Sequence, residues 1–320
     1  MPITIGVFSA STPISAAVPS RYLRGKKYLE AKGFRVMDGN LFGKSDAYRS
    51  GSIRDRADEF NALVRDPQVD IIMSAIGDNN TNAILPYVDY DALIAHPKPV
   101  IGYSDTTALL LAIYAKTGLT TYYGPALAAS FGEFTPLVDE TYESFRHILL
   151  NPPAAPYTYP MPPHWTDEFI DWVSQNRAKT TRQNQWLCIR PGAAQGRLIG
   201  GNLNTMEGIF GTPYMPEIRE GDILLLEDSN KNASVIERSF SLLKLSGALE
   251  KIGGIILGKH EQFDDLNTGR KPHEILEEVL GDRNIPILAD FDCCHTHPML
   301  TMPIGRTIQL DATAKTVTLL

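Results

Sequence analysis

Cysteine is scarce in this sequence, with three residues in 320, two of them adjacent at Cys293 and Cys294 and the third far upstream at Cys188. That number and spacing exclude a disulfide framework and suit a reducing compartment, so the fold must rest on buried apolar surface. An excess of basic charge is also missing: 30 Lys and Arg stand against 37 Asp and Glu, a net charge of −7. Proteins that track phosphate backbones carry a basic face, so nucleic acid is not the expected partner and a small-molecule or peptide substrate fits better. No uncharged run reaches the ~18 residues that a membrane span needs, which argues against a membrane partner. The opening MPITIGVFSAST lacks the basic and long apolar regions of a signal peptide and reads as a first strand. A cytoplasmic protein is expected. Internal repeats and low-complexity tracts are absent too.

The length suggests two domains at roughly 150 residues each. Over residues 1–150, short apolar runs (TIGVF, VDIIMSA, KPVIGY) alternate with helical patterns (RYLRGKKYLEAKG, IRDRADEFNALVRD, TTALLLAIYAKTG). This alternation is that of βαβ units and predicts an α/β, Rossmann-like domain with a parallel sheet, whose ligands gather at the C-terminal ends of the strands. Residues 151–165 lie in a proline-dense stretch, LLNPPAAPYTYPMPPHW, which reads as a linker. Residues 166–320 hold glycine-broken strand patterns (GRLIGGN, GDILLLED, GGIILGKH, IPILADFD, RTIQLDATAKTVTLL) around one helix, ASVIERSFSLLKLSGALEKI. They predict a mixed, mainly β, barrel-like domain.

Four segments can carry chemistry. In GYSDTTALLL, Ser104 stands at the corner between a strand and a helix. It can cap the helix, or it can present a nucleophilic hydroxyl with backbone amides nearby. The segment is not a G-x-S-x-G elbow, because Thr106 occupies the position of the second glycine. In AIGDNNTNAILPYVD, Gly77 lets backbone approach a ligand, so the amide of Gly77 or Asp78 and that of Asp105 could hold an oxyanion; the alternative is a glycine turn into an Asn-capped helix. GDILLLEDSNKN ends a buried run on Glu227 and Asp228, a carboxylate pair able to orient a base or merely to end a strand. DFDCCHTHPMLTMPIG crowds Cys293, Cys294, His295 and His297 together, but without the second ligand arm of a structural zinc site. His295, in a turn after a strand, suits a general base of tunable pKa. The residues alone leave open a serine hydrolase and a non-catalytic nucleotide- or metal-binding protein.

With IGYSDTTALL, IGGNLNT, LLLEDS and CCHTHPMLTMPIG in this order, the chain resembles the LD-carboxypeptidase superfamily of serine peptidases (family S66), and within it the microcin C immunity, MccF-like branch. The resemblance implies a Rossmann-like domain joined to a mainly β domain, the active site between them, and a homodimer. It implies a Ser-Glu-His triad in which Ser104 is the nucleophile, Glu227 the orienting acid and His295 the base, with the amides of Asp105 and Gly77 as oxyanion donors and no metal or cofactor. Cys293 and Cys294 become structural neighbours and His297 a supporting residue. The implied reaction is hydrolysis, through an acyl-enzyme, of the amide between an aminoacyl or peptidyl group and a modified nucleotide. The alternative within the family is trimming of murein tetrapeptides by an LD-carboxypeptidase. HWTDEFIDW, with Trp165 and Trp172, matches the loop that supplies a stacking tryptophan in the microcin branch; the spacing of seven would also suit one face of a helix. Asn204, Lys231 and Glu261 are implied to line the pocket. Two positions depart from the family pattern: Asp78 replaces a second glycine, and Asn230 a basic residue.

Overall fold

The computed structural model describes residues 2–150 and 156–320. TIGVF forms β1 (Thr4–Phe8), buried at every position as a strand covered on both faces must be. β2 (Arg35–Asp38), β3 (Ile71–Ser74), β4 (Val100–Gly102) and β5 (Thr121–Tyr123) follow, in the parallel order β5-β4-β3-β1-β2. Helices Pro19–Ala31, Ile53–Arg65 and Thr107–Thr117 lie where helical periodicity predicts them. The order reverses between β1 and β3, so the loops after these strands diverge and leave a crevice, the usual ligand position in such a sheet.

The second sheet takes in β6 (Tyr157–Thr158), β9 (Leu187–Arg190), β10 (Ala193–Asn202), β11 (Ile223–Glu227), β12 (Gly254–Gly258), β13 (Ile287–Phe291), β15 (Thr307–Asp311) and β16 (Thr316–Leu319), while β7 (His164–Trp165) and β8 (Arg182–Gln183) form a separate pair. Its order is β6-β16-β15-β10-β11-β12-β13-β9, with β10 to β13 parallel and the flanks antiparallel. Central β11 has Ile223, Leu224, Leu225 and Leu226 fully buried, each worth about 1.5–3 kcal/mol over an exposed position.

One strand crosses between the sheets. β14 (Met302–Ile304) pairs antiparallel with β5 of the first sheet. The segment between β13 and β14, which carries His295, is thereby held between the two sheets. Helix Thr107–Thr117 is buried without a break from Thr107 to Ile113, because it packs against β10 as well as its own sheet, and it ends at Gly118 in the left-handed conformation (φ 73°).

The structure differs from the sequence reading in local ways. Of the proline-rich stretch, 151–155 lie outside the described residues, and the part beyond contributes β6 and β7. The helix expected over ASVIERSFSLLKLSGALEKI is two, Ala233–Leu245 and Ala248–Lys251, separated at Gly247 (φ 76°). RTIQLDATAKTVTLL is a hairpin, β15–β16. Residues 166–180 form no helix, so the seven-residue spacing of Trp165 and Trp172 reflects no helical face.

Candidate active site

A cavity of about 440 Å³ lies at the junction of the two sheets and is lined by Gly77, Asp78, Ser104, Trp172, Asn204, Asp228, Lys231, Glu261 and His295, among others. Ser104 follows β4 with φ 58°, a left-handed conformation that costs an L-residue about 1–2 kcal/mol. Its side chain makes no capping hydrogen bond to either the turn Ser104–Thr106 or the helix that follows, so the capping alternative is not realised. Thr106 has ordinary helical geometry, and its buried hydroxyl donates to Ser74 Oγ at 3.0 Å, tying the end of β3 to the start of the helix.

Gly77 is pressed against this corner. A methyl on its Cα would sit 2.7 Å from Ser104 Cβ, 2.9 Å from the Asp105 amide nitrogen and 3.0 Å from Ser104 Oγ, so only glycine fits. The Asp105 amide belongs to a first helical turn, where N–H groups lack intrahelical acceptors. The Asp105 carboxylate accepts from the Thr81 amide at 2.8 Å and so caps the 3₁₀ helix Thr81–Tyr87, the role expected of an asparagine. Asn80 instead accepts from Ser11 and Arg56. Asp78 adopts φ 146°, a region that favours glycine, and is held there by the Thr12 hydroxyl.

Glu227, the last residue of β11, is fully buried. It accepts from His295 Nδ1 at 2.6 Å, the Tyr123 hydroxyl at 2.5 Å and Asn202 Nδ2 at 3.1 Å. Burial alone would raise its carboxyl, but His295 and these donors hold it below its usual range. Burial alone would lower His295, but Glu227, then Glu261 and Asp228, hold it above the ordinary histidine range. With Nδ1–H engaged by a carboxylate, Nε2 is the nitrogen left to take a proton. Tyr103 stacks edge-on against the His295 ring at 4.8 Å. The Tyr123 hydroxyl also accepts from the Ser104 amide at 3.3 Å, which links the serine backbone to the acid.

Close backbone approach makes this assembly possible. Gly258 leaves room for Glu227 and Cys294, whose Cβ atoms would lie 2.8 and 3.1 Å from an added methyl, and Gly201 for Tyr123, at 2.7 Å. Sequence reasoning missed Tyr123 and Asn202; for Asn202 the signal was its place in GGNLNT, where its side chain caps Leu203–Glu207 and reaches both carboxylates.

Asp228 lies beside Glu227 and accepts from the Asn204 amide at 3.0 Å; burial and Glu227 push its carboxyl up to about 6. Burial likewise raises Glu261. Asn230 also lines the cavity, where a basic residue was expected. Trp172 lines it with one ring face covered by the Arg21 guanidinium at 4.4 Å. Trp165 does not line it and sits between Arg182 and Lys259. Cys293 and Cys294 are buried thiols raised by burial, Cys294 to about 12, and among the described residues no group of three or more His, Cys, Asp or Glu is arranged to hold a metal. No helix among them is long and apolar enough to cross a membrane.

Comparison with known proteins places this geometry in context. Models of the LD-carboxypeptidase N-terminal and C-terminal domains match residues 5–124 and 195–310. The chain is 57% identical to a Vibrio cholerae protein whose carboxypeptidase assignment is itself provisional, over 96% of this chain and 92% of the other. It is 52% identical to the microcin C7 self-immunity protein MccF of Escherichia coli, over 99% and 92%. The solved structure of MccF without ligand superimposes with a TM-score of 0.97, covering 99% of this chain and 95% of that one; MccF has also been solved with aspartyl sulfamoyl adenosine and with glutamyl sulfamoyl guanosine. Two domain models in the same order, and identity above half along nearly the whole length, establish that the chain belongs to the LD-carboxypeptidase family of serine-type peptidases.

Proposed function

We propose that this protein hydrolyses the amide between an aminoacyl or peptidyl group and a modified nucleotide, as a detoxifying enzyme for microcin C-type compounds. The observation that carries the chemistry is the 2.6 Å hydrogen bond from His295 to buried Glu227, on a cavity that Ser104 also lines. His295 Nε2 removes the Ser104 proton as the hydroxyl attacks the carbonyl, and Glu227 stabilises the imidazolium that forms. The amides of Gly77 and Asp105 hold the oxyanion. His295 then protonates the leaving nitrogen, and water, deprotonated by the same histidine, releases the acyl group from Ser104.

Trp172 supports a nucleotide over a murein peptide, since an aromatic face at a cavity wall stacks a base at about 1–3 kcal/mol. MccF complexes with aminoacyl sulfamoyl nucleosides support the same choice. Glu261 receives the substrate ammonium, while Asn204 and Lys231 contact the ribose and the group joining it to the acyl unit. Purified protein should cleave aspartyl sulfamoyl adenosine, and Ser104→Ala should abolish that turnover. Turnover of a murein tetrapeptide alone would instead assign the chain the activity named for a Pseudomonas aeruginosa relative, murein tetrapeptide carboxypeptidase, to which it is 24% identical. The homodimer implied by the family resemblance is tested by sedimentation of the same sample.

A further inference from the structure

Behind the serine, two buried hydroxyls that take no part in the hydrolytic steps form a relay ending on the peptide bond that carries the Gly77 amide. Ser74, the last residue of β3, and Thr106, just before helix Thr107–Thr117, are both fully buried. Ser74 Oγ stands 2.9 Å from the Ile76 carbonyl oxygen and 3.0 Å from Thr106 Oγ1. A carbonyl only accepts, so the single Ser74 proton goes to Ile76 and the Thr106 proton goes to Ser74. The chemistry of the groups thus fixes the direction of both bonds.

The Ile76 carbonyl and the Gly77 N–H belong to one peptide unit, which is planar and trans, so the N–H points opposite to the carbonyl. Tethering the carbonyl at the end of β3 therefore aims the N–H away from that strand. Gly77 itself lines the cavity beside Ser104. Its amide, on a buried residue, has no acceptor among the described residues, although buried backbone N–H groups are nearly always paired. Glycine also restricts φ only weakly, so the plane of this peptide is free to swing unless something outside the backbone holds it.

Resting on the assignment of Gly77 as an oxyanion donor in the reading above, we infer that Ser74 and Thr106 are positioning residues of the oxyanion hole: Ser74, oriented by Thr106, fixes the plane of the Ile76–Gly77 peptide and so aims the Gly77 amide. This gives Thr106 a task at the position where a G-x-S-x-G elbow has its second glycine. Its hydroxyl is the means by which the helix after the nucleophile reaches the opposite loop, so the two oxyanion amides, one on each loop, are set relative to each other.

Kinetics on purified variants test this. Ser74→Ala should lower kcat for aspartyl sulfamoyl adenosine by roughly 10- to 100-fold, less than outright loss of a donor, and leave KM within a few-fold. Thr106→Val should give a smaller fall of the same kind, and Thr106→Ser should restore most of it. The double variant Ser74→Ala/Thr106→Val should fall no further than Ser74→Ala alone, because both act through one bond to Ile76. The acid limb of kcat/KM, set by His295, should stay in place throughout, and a thermal melt checks that each variant folds. A readout independent of the substrate is the second-order rate at which a fluorophosphonate, whose phosphoryl oxygen occupies the oxyanion hole, modifies Ser104; it should fall from wild type through Thr106→Val to Ser74→Ala. Wild-type protein that is labelled yet leaves the nucleoside intact would refute the substrate reading, and the labelling rates would still decide the relay. Raised KM at unchanged kcat, additive losses in the double variant, or equal labelling rates would overturn the relay. Wild-type protein inert to both reagents would overturn it together with the assignment of the nucleophile.

Discussion

Tyr123→Phe removes one oxygen from the centre of the site and tests whether the linked network operates as described. The hydroxyl is buried, donates to Glu227 at 2.5 Å and accepts from the Ser104 amide at 3.3 Å. Burial and the neighbouring carboxylate keep the phenol protonated, so it can only donate to Glu227. A hydrogen bond to a charged group contributes about 1.5–3 kcal/mol, and a phenyl ring supplies no substitute. The folded protein should lose about that much stability, read as a lower urea midpoint at unchanged slope. A carboxylate deprived of one donor attracts the imidazolium more strongly, so His295 should rise further. Because His295 must be neutral to act as base, the acid limb of kcat/KM should move to higher pH. An unchanged urea midpoint together with an unchanged acid limb would refute the network.

Three other outcomes follow from the same geometry. Trp172→Ala should raise KM for an aminoacyl sulfamoyl nucleoside by roughly 5- to 150-fold, the 1–3 kcal/mol of one stacked base, whereas Trp165→Ala, outside the cavity, should leave it near the wild-type value in the same steady-state assay. Gly77→Ala places a methyl 2.7 Å from Ser104 Cβ and 2.9 Å from the Asp105 amide; kcat should fall by about 100-fold or more, the effect of losing an oxyanion donor, while inhibition by a nucleoside product changes little. His295 is held up from 6.5 chiefly by Glu227 and then by Glu261. The wild-type acid limb should therefore lie above pH 6.5, with activity falling as pH drops through it. Glu261→Gln, which removes one of the charges raising His295, should shift that limb to lower pH whatever it does to KM.

The alternation of strands and helices in the first half was legible because buried parallel strands are short, apolar and punctuated by amphipathic helices. Ser104, Glu227 and His295 were legible as candidates for a related reason: each is a polar residue at or just beyond the end of an apolar run, and the structure brings Ser104 and His295 to one cavity and Glu227 to 2.6 Å from His295. Tyr123 was not. It is one of 13 tyrosines and meets an acid 104 positions along the chain, a contact set by how two sheets pack rather than by any local period. The helical face that the tryptophan spacing would also suit is not formed, because two residues can satisfy a helical period in a segment whose backbone is fixed otherwise, here by Glu168 accepting from Arg177 and the Thr180 amide.

Ser104 shows why a capping motif can be misread. Ser, Asp and Thr in succession look like a helix start that satisfies its own amides, yet none of the three side chains caps this helix. Thr106 turns to Ser74 of the preceding strand, and Asp105 reaches across to Thr81 and caps the neighbouring turn. Both bonds fasten the loop bearing Gly77 to the loop bearing Ser104, and a shift of either loop by a fraction of an ångström would separate the two proposed oxyanion amides. The left-handed backbone at Ser104, costly in isolation, is held by this pair of cross-links and by Gly77 packed beneath it. The residues that could have made a more stable helix start are thus committed to fixing the relative position of two loops, a use that makes physical sense only where the geometry between those loops matters more than the helix they border.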